Sequence, residues 1–248
     1  MSELQHPGAR SFEGVADLYE RARPEYPPEA IAWLVERLEL RAGRTVLDLG
    51  AGTGKLTRAL VPTGAEVIAV EPGEAMLAEL RHAVPGVRAL LGGAEQIPLG
   101  DASVDAVTVG QAFHWFRFDE ALPQLHRVLR RGGGVALLWN NRDQSDRLQR
   151  EISELIWPLA GGRAAAYDSS RHLAESALFG PLEEREFRFA QQLDADGLAG
   201  RVLSISFVAA APATTRAELE RRVREFVAER GGAVSFPYLT SVYVSRAA

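Results

Sequence analysis

The amino-acid sequence predicts an α/β fold in which a mainly parallel sheet is covered by helices on both faces. From residue 44 to about residue 140, short apolar runs alternate with helical segments, which is typical of consecutive βαβ units. The apolar runs are mostly uninterrupted, as expected for strands that are buried on both faces. A glycine-rich stretch, VLDLGAGTGKLT at 46–57, follows the first run and opens the next helix.

The elements of this region follow in order along the chain. Strands are predicted at 44–49, 66–71, 87–91, 104–110 and 134–139. Helices are predicted at 55–62 and 73–84, and in the segment FDEALPQLHRVLRRGGG that begins at residue 118. In that segment the arginines stand at the predicted helix end and the glycines beyond it, which is a typical stop signal. Ahead of the sheet, residues 17–40 predict a turn rich in proline and tyrosine, followed by one amphipathic helix.

After residue 140 the alternation ends. Helices are predicted at 145–160, 169–179, 194–206 and 214–230, and strands at 183–189 and 235–247. We expect a single domain. It comprises an N-terminal segment and helix at 1–43, a cofactor-binding core at 44–140, a lid and substrate region at 141–235 that includes the sixth strand, and the last strand at 236–248. The helices at 145–160 and 194–230 would form a partial lid.

Composition excludes several classes of protein. The 248 residues include no cysteine, which excludes disulfides, thiolate nucleophiles and zinc–cysteine sites. The net charge of −5 argues against a nucleic-acid-binding surface, which needs clustered cations. The N-terminus lacks a basic-then-apolar signal segment, and no run approaches the length of a membrane span. We therefore expect a cytoplasmic protein that binds neither nucleic acid nor a membrane.

The spacing of the loop glycines distinguishes three kinds of ligand site. A nucleoside-triphosphate loop needs GxxxxGK[ST], but Leu56 follows Gly54-Lys55, and Leu49 stands where the first glycine is required. A dinucleotide loop needs GxGxxG, and the three alternating glycines are spaced one residue too tightly for it. The pattern disfavours both phosphate loops, although an imperfect dinucleotide site stays open.

The third kind of ligand is S-adenosylmethionine, whose methionyl end carries both a carboxylate and an ammonium group. Glycines allow close approach of the backbone, and the N-terminus of the following helix offers N–H groups to an anion. Asp48, two residues before Gly50, supplies negative charge on the ammonium side. Glu71 ends the second strand, where an acidic side chain can accept both ribose hydroxyls. The alternative is that Glu71 caps the next helix.

Four segments carry a resemblance to a known family: Asp48–Gly54, Glu71-Pro72, GGAEQIPLGDASVD at 92–105 and GQAFHWF at 110–116. Together they resemble the class I S-adenosylmethionine-dependent methyltransferases of the broad type-11 group. Arg23-Pro24-Glu25-Tyr26-Pro27 and Ala112–Phe116 are similar to the RPxYP and AxHWF motifs of the trans-aconitate-methyltransferase-like branch. The likeness is specific from about residue 12 to 145 and weaker beyond. It implies a Rossmann-like, seven-stranded, mostly parallel sheet with an antiparallel last strand.

The resemblance also implies which residues hold the cofactor: the glycine loop for the methionyl group, Glu71 for the ribose and later segments for the adenine. The resemblance implies cofactor contacts for Tyr19, Arg23, Gly50, Ala51, Gly52, Glu71, Pro72, Met76, Ala94, Glu95, Gly110 and Gln111. Asp48 is expected in the cofactor site from its charge, and Trp115 would shape the wall of the cofactor or acceptor site. Many relatives place Asp directly before the Ala-Glu pair, whereas this chain has Gly93, so adenine recognition would fall to Glu95. Tyr19 and Arg23 would close over the cofactor; a proline-framed turn packed on the sheet is the alternative.

His114 is the candidate catalytic base, because it follows the fourth strand beside the expected methyl site. A base is needed only if the acceptor must lose a proton, as a phenol or hydroxyl must. The alternative is a structural histidine that holds Trp115 and Phe116 against the next helix. Arg142, after the fifth strand, either holds an acidic substrate or faces solvent from a loop. In the lid region, further residues that could touch substrate are Arg201, Ser204 and Ser206.

We therefore expect a methyltransferase that transfers a methyl group from S-adenosylmethionine to a small-molecule acceptor. The resemblance implies a carboxylate oxygen as the acceptor atom, and a hydroxyl oxygen is the alternative. No metal is expected, because His82, His126 and His172 stand on unrelated segments without carboxylates at metal-ligand spacing. A nicotinamide-dependent oxidoreductase and a non-catalytic S-adenosylmethionine-binding protein stay open. A nucleic-acid methyltransferase is disfavoured, because Gly110–Phe113 replaces the Asn/Asp-Pro-Pro-aromatic turn after the fourth strand.

Overall fold

One sheet of seven strands organises the chain. The computed structural model describes residues 23–160 and 169–248, and the strand order in the sheet is β3-β2-β1-β4-β5-β7-β6. The strands are β1 (Thr45–Leu49), β2 (Glu66–Glu71), β3 (Arg88–Leu91), β4 (Val104–Gly110), β5 (Leu129–Arg142), β6 (Glu183–Asp194) and β7 (Ala233–Arg246).

The direction of the strands confirms the predicted sheet. β1 pairs in parallel with β2 on one side and with β4 on the other, and β3 and β5 extend the parallel sheet outward. β7 runs antiparallel to both β5 and β6, so it is the antiparallel last strand. The strand order reverses between β1 and β4, and the crevice at the carboxyl ends of such strands is where α/β proteins bind ligands.

Helices cover both faces of the sheet, as predicted. Alternate residues of β1 and β5 face opposite sides of the sheet. Leu47 and Leu137 pack with the helix at 118–128, whereas Val46 and Leu138 pack with the helices at 28–38 and 55–60. No helix in the described residues is long and apolar enough to cross a membrane. The helices are α1 (Pro28–Leu38), α2 (Lys55–Leu60), α3 (Glu74–Ala83), α4 (Phe118–Val128), α5 (Arg147–Ile156), α6 (Ser170–Ala174), α7 (Ala195–Leu203), α8 (Ser206–Ala209) and α9 (Ala213–Ala228).

Two predicted helix ends were wrong. The helix expected at 169–179 ends at Ala174, and Phe179 instead forms a β-bridge with Ala247. The LRRGGG segment was expected to end the helix that begins at residue 118, but α4 ends at Val128 and this segment begins β5 at Leu129. A Cβ on Gly133 would lie 2.8 Å from the backbone oxygen of Asp105, so this glycine permits close strand packing and does not cap a helix. Arg130 Nη1 donates to the buried Asp105 carboxylate at 2.7 Å, which accounts for an arginine at the start of a central strand.

The helices α5, α7, α8 and α9, which we call the lid, have a hydrophobic core of their own. Their apolar side chains pack on the end of β6 and the start of β7, including the fully buried Tyr238. Arg142, the last residue of β5, is paired in register with Tyr238. The lid core therefore lies at the carboxyl end of the parallel strands, which is the ligand-binding edge.

Candidate active site

The glycine loop joins β1 to α2 and depends on three left-handed residues. Gly50, Gly52 and Gly54 have φ values of 68°, 57° and 92°, a region that other residues enter only with strain. The N–H groups of Gly50 and Ala51 donate to the carbonyl oxygen of Val70 at 2.8 and 3.1 Å. The loop therefore folds back against the carboxyl end of β2.

Gly50 and Gly52 serve different purposes in this loop. A Cβ on Gly50 would lie 2.7 Å from the Cβ of Ala112, so the absence of a side chain lets the segment after β4 pack on the loop. A Cβ on Gly52 would have no atom within 4 Å. Gly52 therefore presents open space at the sheet edge, where a ligand has room to lie against the backbone.

Glu71 connects the end of β2 to the glycine loop. Its side chain accepts hydrogen bonds from the N–H of Gly52 at 2.8 Å and from the N–H of Gly73 at 2.9 Å. Glu71 is only 8% exposed; burial raises its pKa, and the two backbone hydrogen bonds oppose that rise. Each carboxylate oxygen has two lone pairs, so Glu71 can still accept donors from a ligand.

Asp48 lies inside the sheet beneath the loop. It is 0% exposed, and it accepts hydrogen bonds from the hydroxyls of Thr57 at 2.6 Å and Thr108 at 3.4 Å. Burial raises the pKa of Asp48 to about 7. The carboxyl is thus held by threonine hydroxyls, and its role toward an ammonium group stays a prediction.

The segment after β4 brings Gln111, His114 and Trp115 to the same edge. Gln111 has a φ of 60°, which is uncommon for a residue with a side chain and is often found at functional sites; its N–H donates to the Leu138 oxygen at 2.9 Å. His114 and Trp115 lie in a 3-10 turn, half-buried, with ring centroids 4.6 Å apart. The structure thus places the candidate base beside an aromatic wall.

The residues predicted to surround the adenine lie on the other side of β1. Met76 on α3 and Ala94 after β3 are buried, whereas Pro72 is half-buried. Glu95 Oε1 accepts the N–H of Arg117 at 3.0 Å, so one of its oxygens fixes the start of α4. The other oxygen is the part of Glu95 left for the predicted adenine contact.

Two residues of the N-terminal motif were missed as site residues. The Tyr26 hydroxyl occupies the space that a Cβ on Gly110 would need, so Tyr26 lies directly over the end of β4. Glu25 Oε1 accepts hydrogen bonds from Lys55 at 2.9 Å and Arg58 at 2.8 Å, both on α2. The RPxYP motif contained this signal, but its spacing alone does not tell which of its side chains reach the sheet.

Arg23 connects the same motif to the lid. Its Nη2 donates to the backbone oxygen of Ser204 at 2.8 Å, at the C-terminal end of α7. The other residue predicted to close over the cofactor, Tyr19, lies outside the described residues. The N-terminal motif therefore contacts α2, β4 and the lid, and it covers the edge where the predicted site residues meet.

The described residues include no group of three His, Cys, Asp or Glu side chains that could hold a metal ion. Two of the buried acids are paired instead with arginines: Asp105 with Arg130 and Asp143 with Arg188. The absence of a metal from the reaction stays a prediction.

A family model described as "Methyltransferase domain" matches residues 47–137, which include the loop, Glu71 and the segment after β4. An uncharacterized methyltransferase of Mycobacterium bovis is 42% identical over 235 residues, covering 93% of each chain. The chain is a class I S-adenosylmethionine-dependent methyltransferase. An uncharacterized methyltransferase of Schizosaccharomyces pombe is 35% identical over 243 residues, covering 95% of this chain and 96% of the relative.

A solved methyltransferase structure has a similar fold. The methyltransferase is similar, with a TM-score of 0.64 and 26% identity, to a protein from Anaeromyxobacter dehalogenans assigned as a type II methyltransferase. The match covers 91% of this chain and 97% of that one. The predicted membership of the trans-aconitate-methyltransferase-like branch stays a prediction.

The buried carboxyl of Asp48 predicts a pH-dependent stability that Asp48→Asn removes. Between pH 4 and pH 7 the unfolded chain ionises Asp48 while the folded protein keeps it protonated, because the folded pKa is about 7. Wild-type stability should fall relative to Asp48→Asn over this window, by ~4 kcal/mol for about three pKa units. Urea denaturation of both proteins at several pH values measures this difference. A constant difference from pH 4 to pH 8 would contradict the assignment.

Proposed function

We propose that this methyltransferase binds S-adenosylmethionine at the glycine loop and transfers its methyl group to an oxygen of a small-molecule acceptor, a carboxylate or a hydroxyl. The observation that carries the proposal is the pairing of Gly52 with Glu71. Open backbone at a left-handed glycine lies beside a buried carboxylate with acceptor capacity left. This arrangement suits an amino-acid zwitterion joined to a ribose.

The residues around the loop fit this cofactor better than a diphosphate. The N–H groups of Gly50, Ala51 and Gly52 are already bound to Val70 and Glu71, and a diphosphate needs such groups free at a helix N-terminus. Glu71 would accept the ribose hydroxyls, with Met76 and Ala94 supporting the adenine.

The protein's own task in the reaction is to align the acceptor and exclude water. S-adenosylmethionine, when bound, supplies an electrophilic methyl group on a sulfonium. Tyr26 over Gly110, together with the aromatic turn of His114 and Trp115, would cover the acceptor side of the edge. Alignment of this kind can contribute about 7–11 kcal/mol to lowering the barrier. His114 would take the proton when the acceptor is a hydroxyl, and a carboxylate acceptor would need no base.

Calorimetry and a tritium-transfer assay test the proposed function together. S-adenosylmethionine and S-adenosylhomocysteine should bind, whereas NAD and NADP should not. A screen over acidic metabolites, phenols and amines with tritiated cofactor should then show transfer to a carboxylate or hydroxyl compound. Binding of a nicotinamide dinucleotide without binding of either sulfur compound would overturn the proposal. Binding of S-adenosylmethionine without transfer to any carboxylate or hydroxyl compound would contradict the proposed acceptor class.

Gly52→Ala should lower the affinity for the cofactor in addition to lowering the stability of the fold. Its φ of 57° makes alanine unfavourable by about 1–2 kcal/mol, and the added methyl group enters the open space proposed for the cofactor. Overpacking typically costs about 1–3 kcal/mol, so affinity for S-adenosylhomocysteine should fall by about 5- to 150-fold in calorimetry.

Gly86→Ala is the matched control for Gly52→Ala. Gly86 also has a left-handed φ, of 89°, and no atom within 4 Å of a Cβ, but it lies in the turn between α3 and β3. It should lose similar stability and keep wild-type affinity for S-adenosylhomocysteine. Equal affinities for the two variants would remove Gly52 from the proposed site.

His114→Ala should slow transfer to a hydroxyl or phenol acceptor by about 10²–10⁴-fold and spare a carboxylate acceptor. The rate constants for acceptors found in the screen measure this split, and affinity for S-adenosylhomocysteine should not change. His82→Ala, which alters an exposed histidine on α3, is the control. Unchanged transfer to hydroxyl acceptors in His114→Ala would assign His114 a packing role.

A further inference from the structure

Two arginines, Arg142 at the end of β5 and Arg201 on α7, lie close together where β5 meets the lid. Arg201 is only 5% exposed, and the Nη1 atom of each arginine is buried without a hydrogen-bond partner. The charge of Arg201 lowers the pKa of Arg142 and that of Tyr238 raises it, and among the described residues neither arginine forms a salt bridge with a carboxylate. The sequence left open that Arg142 faces solvent from a loop. The structure instead places Arg142 at the end of β5 with its side chain partly buried.

Aromatic rings hold the two guanidinium groups in place. Arg201 Nε donates to the Tyr238 hydroxyl at 3.0 Å, and Tyr238 is paired in register with Arg142. The Arg142 guanidinium lies 5.5 Å from the centre of the Trp157 ring. Burial, and after it the charge of Arg201, lower the pKa of Arg142. Two cations side by side in such surroundings are unfavourable unless an anion joins them.

The acid next in sequence does not supply that anion. Asp143 is buried, but its Oδ2 accepts from Arg188 Nη1 at 2.9 Å, and its Oδ1 accepts from the N–H and the hydroxyl of Ser145. The carboxylate of Asp143 is thus used by other partners. The positive charge of the arginine pair remains available to a ligand.

The arginine pair lies on the same face of the sheet as the N-terminal motif. Asn140, two residues before Arg142 and therefore on the same face, donates to the backbone oxygen of Glu25 at 3.2 Å. Gly110, which Tyr26 covers, is paired with Leu138, four residues before Arg142. At ~3.3 Å per residue, Arg142 lies ~13 Å along the strand beyond the end of β4, a distance that an arginine side chain and a small molecule can span.

We propose that Arg142 and Arg201 form a subsite that binds an oxyanion, a carboxylate or phosphate group, on the methyl acceptor. The bound group lies away from the reacting oxygen and fixes the acceptor's orientation. Guanidinium groups suit this role, because their planar N–H donors match the oxygens of carboxylate and phosphate. The inference rests on the proposed function, since it names the charge of that reaction's acceptor.

Anion binding tests the subsite without knowledge of the acceptor. Thermal unfolding of the full chain is measured with inorganic phosphate, with glutarate and with sodium chloride of matched ionic strength. Phosphate or glutarate should raise the wild-type Tm above the chloride value, and the larger shift shows which oxyanion is preferred. Without anion, Arg142→Met should be at least as stable as wild type, because it removes one of two like charges, and it should lose the shift.

Three further variants make this result specific. Arg201→Lys keeps the charge but loses the planar fork, so it should weaken anion binding by about tenfold or more. Tyr238→Phe removes the hydroxyl that holds Arg201 and should reduce the shift. Arg147→Met changes an exposed lid arginine paired with Glu151 and should keep the full shift. A wild-type protein with no shift, or an Arg142→Met protein that keeps it, would overturn the subsite.

Transfer assays then separate failure of the subsite from failure of the proposed function. Compounds are compared in pairs that differ only in one anionic group, such as a dicarboxylate and its monoamide. The anionic member should be preferred at least about tenfold in kcat/KM, and Arg142→Met should lose this preference mainly through KM, with S-adenosylhomocysteine affinity unchanged. Efficient transfer without a charge preference would overturn the subsite alone, whereas absence of cofactor binding would overturn the function and leave the anion shift to decide the subsite.

Discussion

The site depends on the hydrogen bond from the Gly52 N–H to the Glu71 carboxylate. This bond joins the loop after β1 to the end of β2, two strands held in parallel register with Leu49 opposite Val70. It forms because left-handed glycines turn the loop back toward β2 and because Glu71 is the last residue of its strand. The carboxylate therefore stays at the edge of the sheet, where a ligand can reach its remaining lone pairs.

Glycines, which have no side chain, let three segments converge on this edge: the glycine loop, the segment after β4 and the N-terminal motif. Gly50 gives room to Ala112 after β4, and Gly110 gives room to the Tyr26 hydroxyl. Glu25, next to Tyr26, forms salt bridges with Lys55 and Arg58 of α2. These salt bridges hold the N-terminal motif against the helix that follows the loop. The glycines of this edge thus differ in purpose. Gly50 and Gly110 permit close packing, whereas Gly52 leaves space for a ligand.

The sequence predicted the sheet and the loop well because their signals are local. Uninterrupted apolar runs mark strands buried on both faces, and the alternating glycines at 50, 52 and 54 mark the loop that opens the next helix. The left-handed φ values of these glycines come from the structure. The boundary between α4 and β5 was missed, because RRGGG resembles a helix stop and only the contact with Asp105 shows why glycine is needed there. Tyr26 and Glu25 as site residues, and the partial burial of Arg142, were missed for a related reason, since each depends on a partner distant in sequence.

The arginine pair illustrates what pairing across the sheet adds to composition. Arg142 and Arg201 are ordinary members of an arginine-rich chain until β5 and β7 bring Tyr238 opposite Arg142 and α7 places Arg201 against the same ring. The lid then buries Arg201 and part of Arg142, including the Nη1 atom of each guanidinium group. An unbalanced charge of this kind is a property of the fold and cannot be inferred from residue counts.

Calorimetric titration of S-adenosylhomocysteine into Glu71→Ala tests the account most directly. Loss of the hydrogen bonds from the ribose should weaken binding by about 1–3 kcal/mol, that is by about 5- to 150-fold. Glu66→Ala, at the exposed start of the same strand, should bind as the wild type does. Wild-type affinity in a folded Glu71→Ala protein would contradict the claim that the Gly52–Glu71 pair builds the cofactor site.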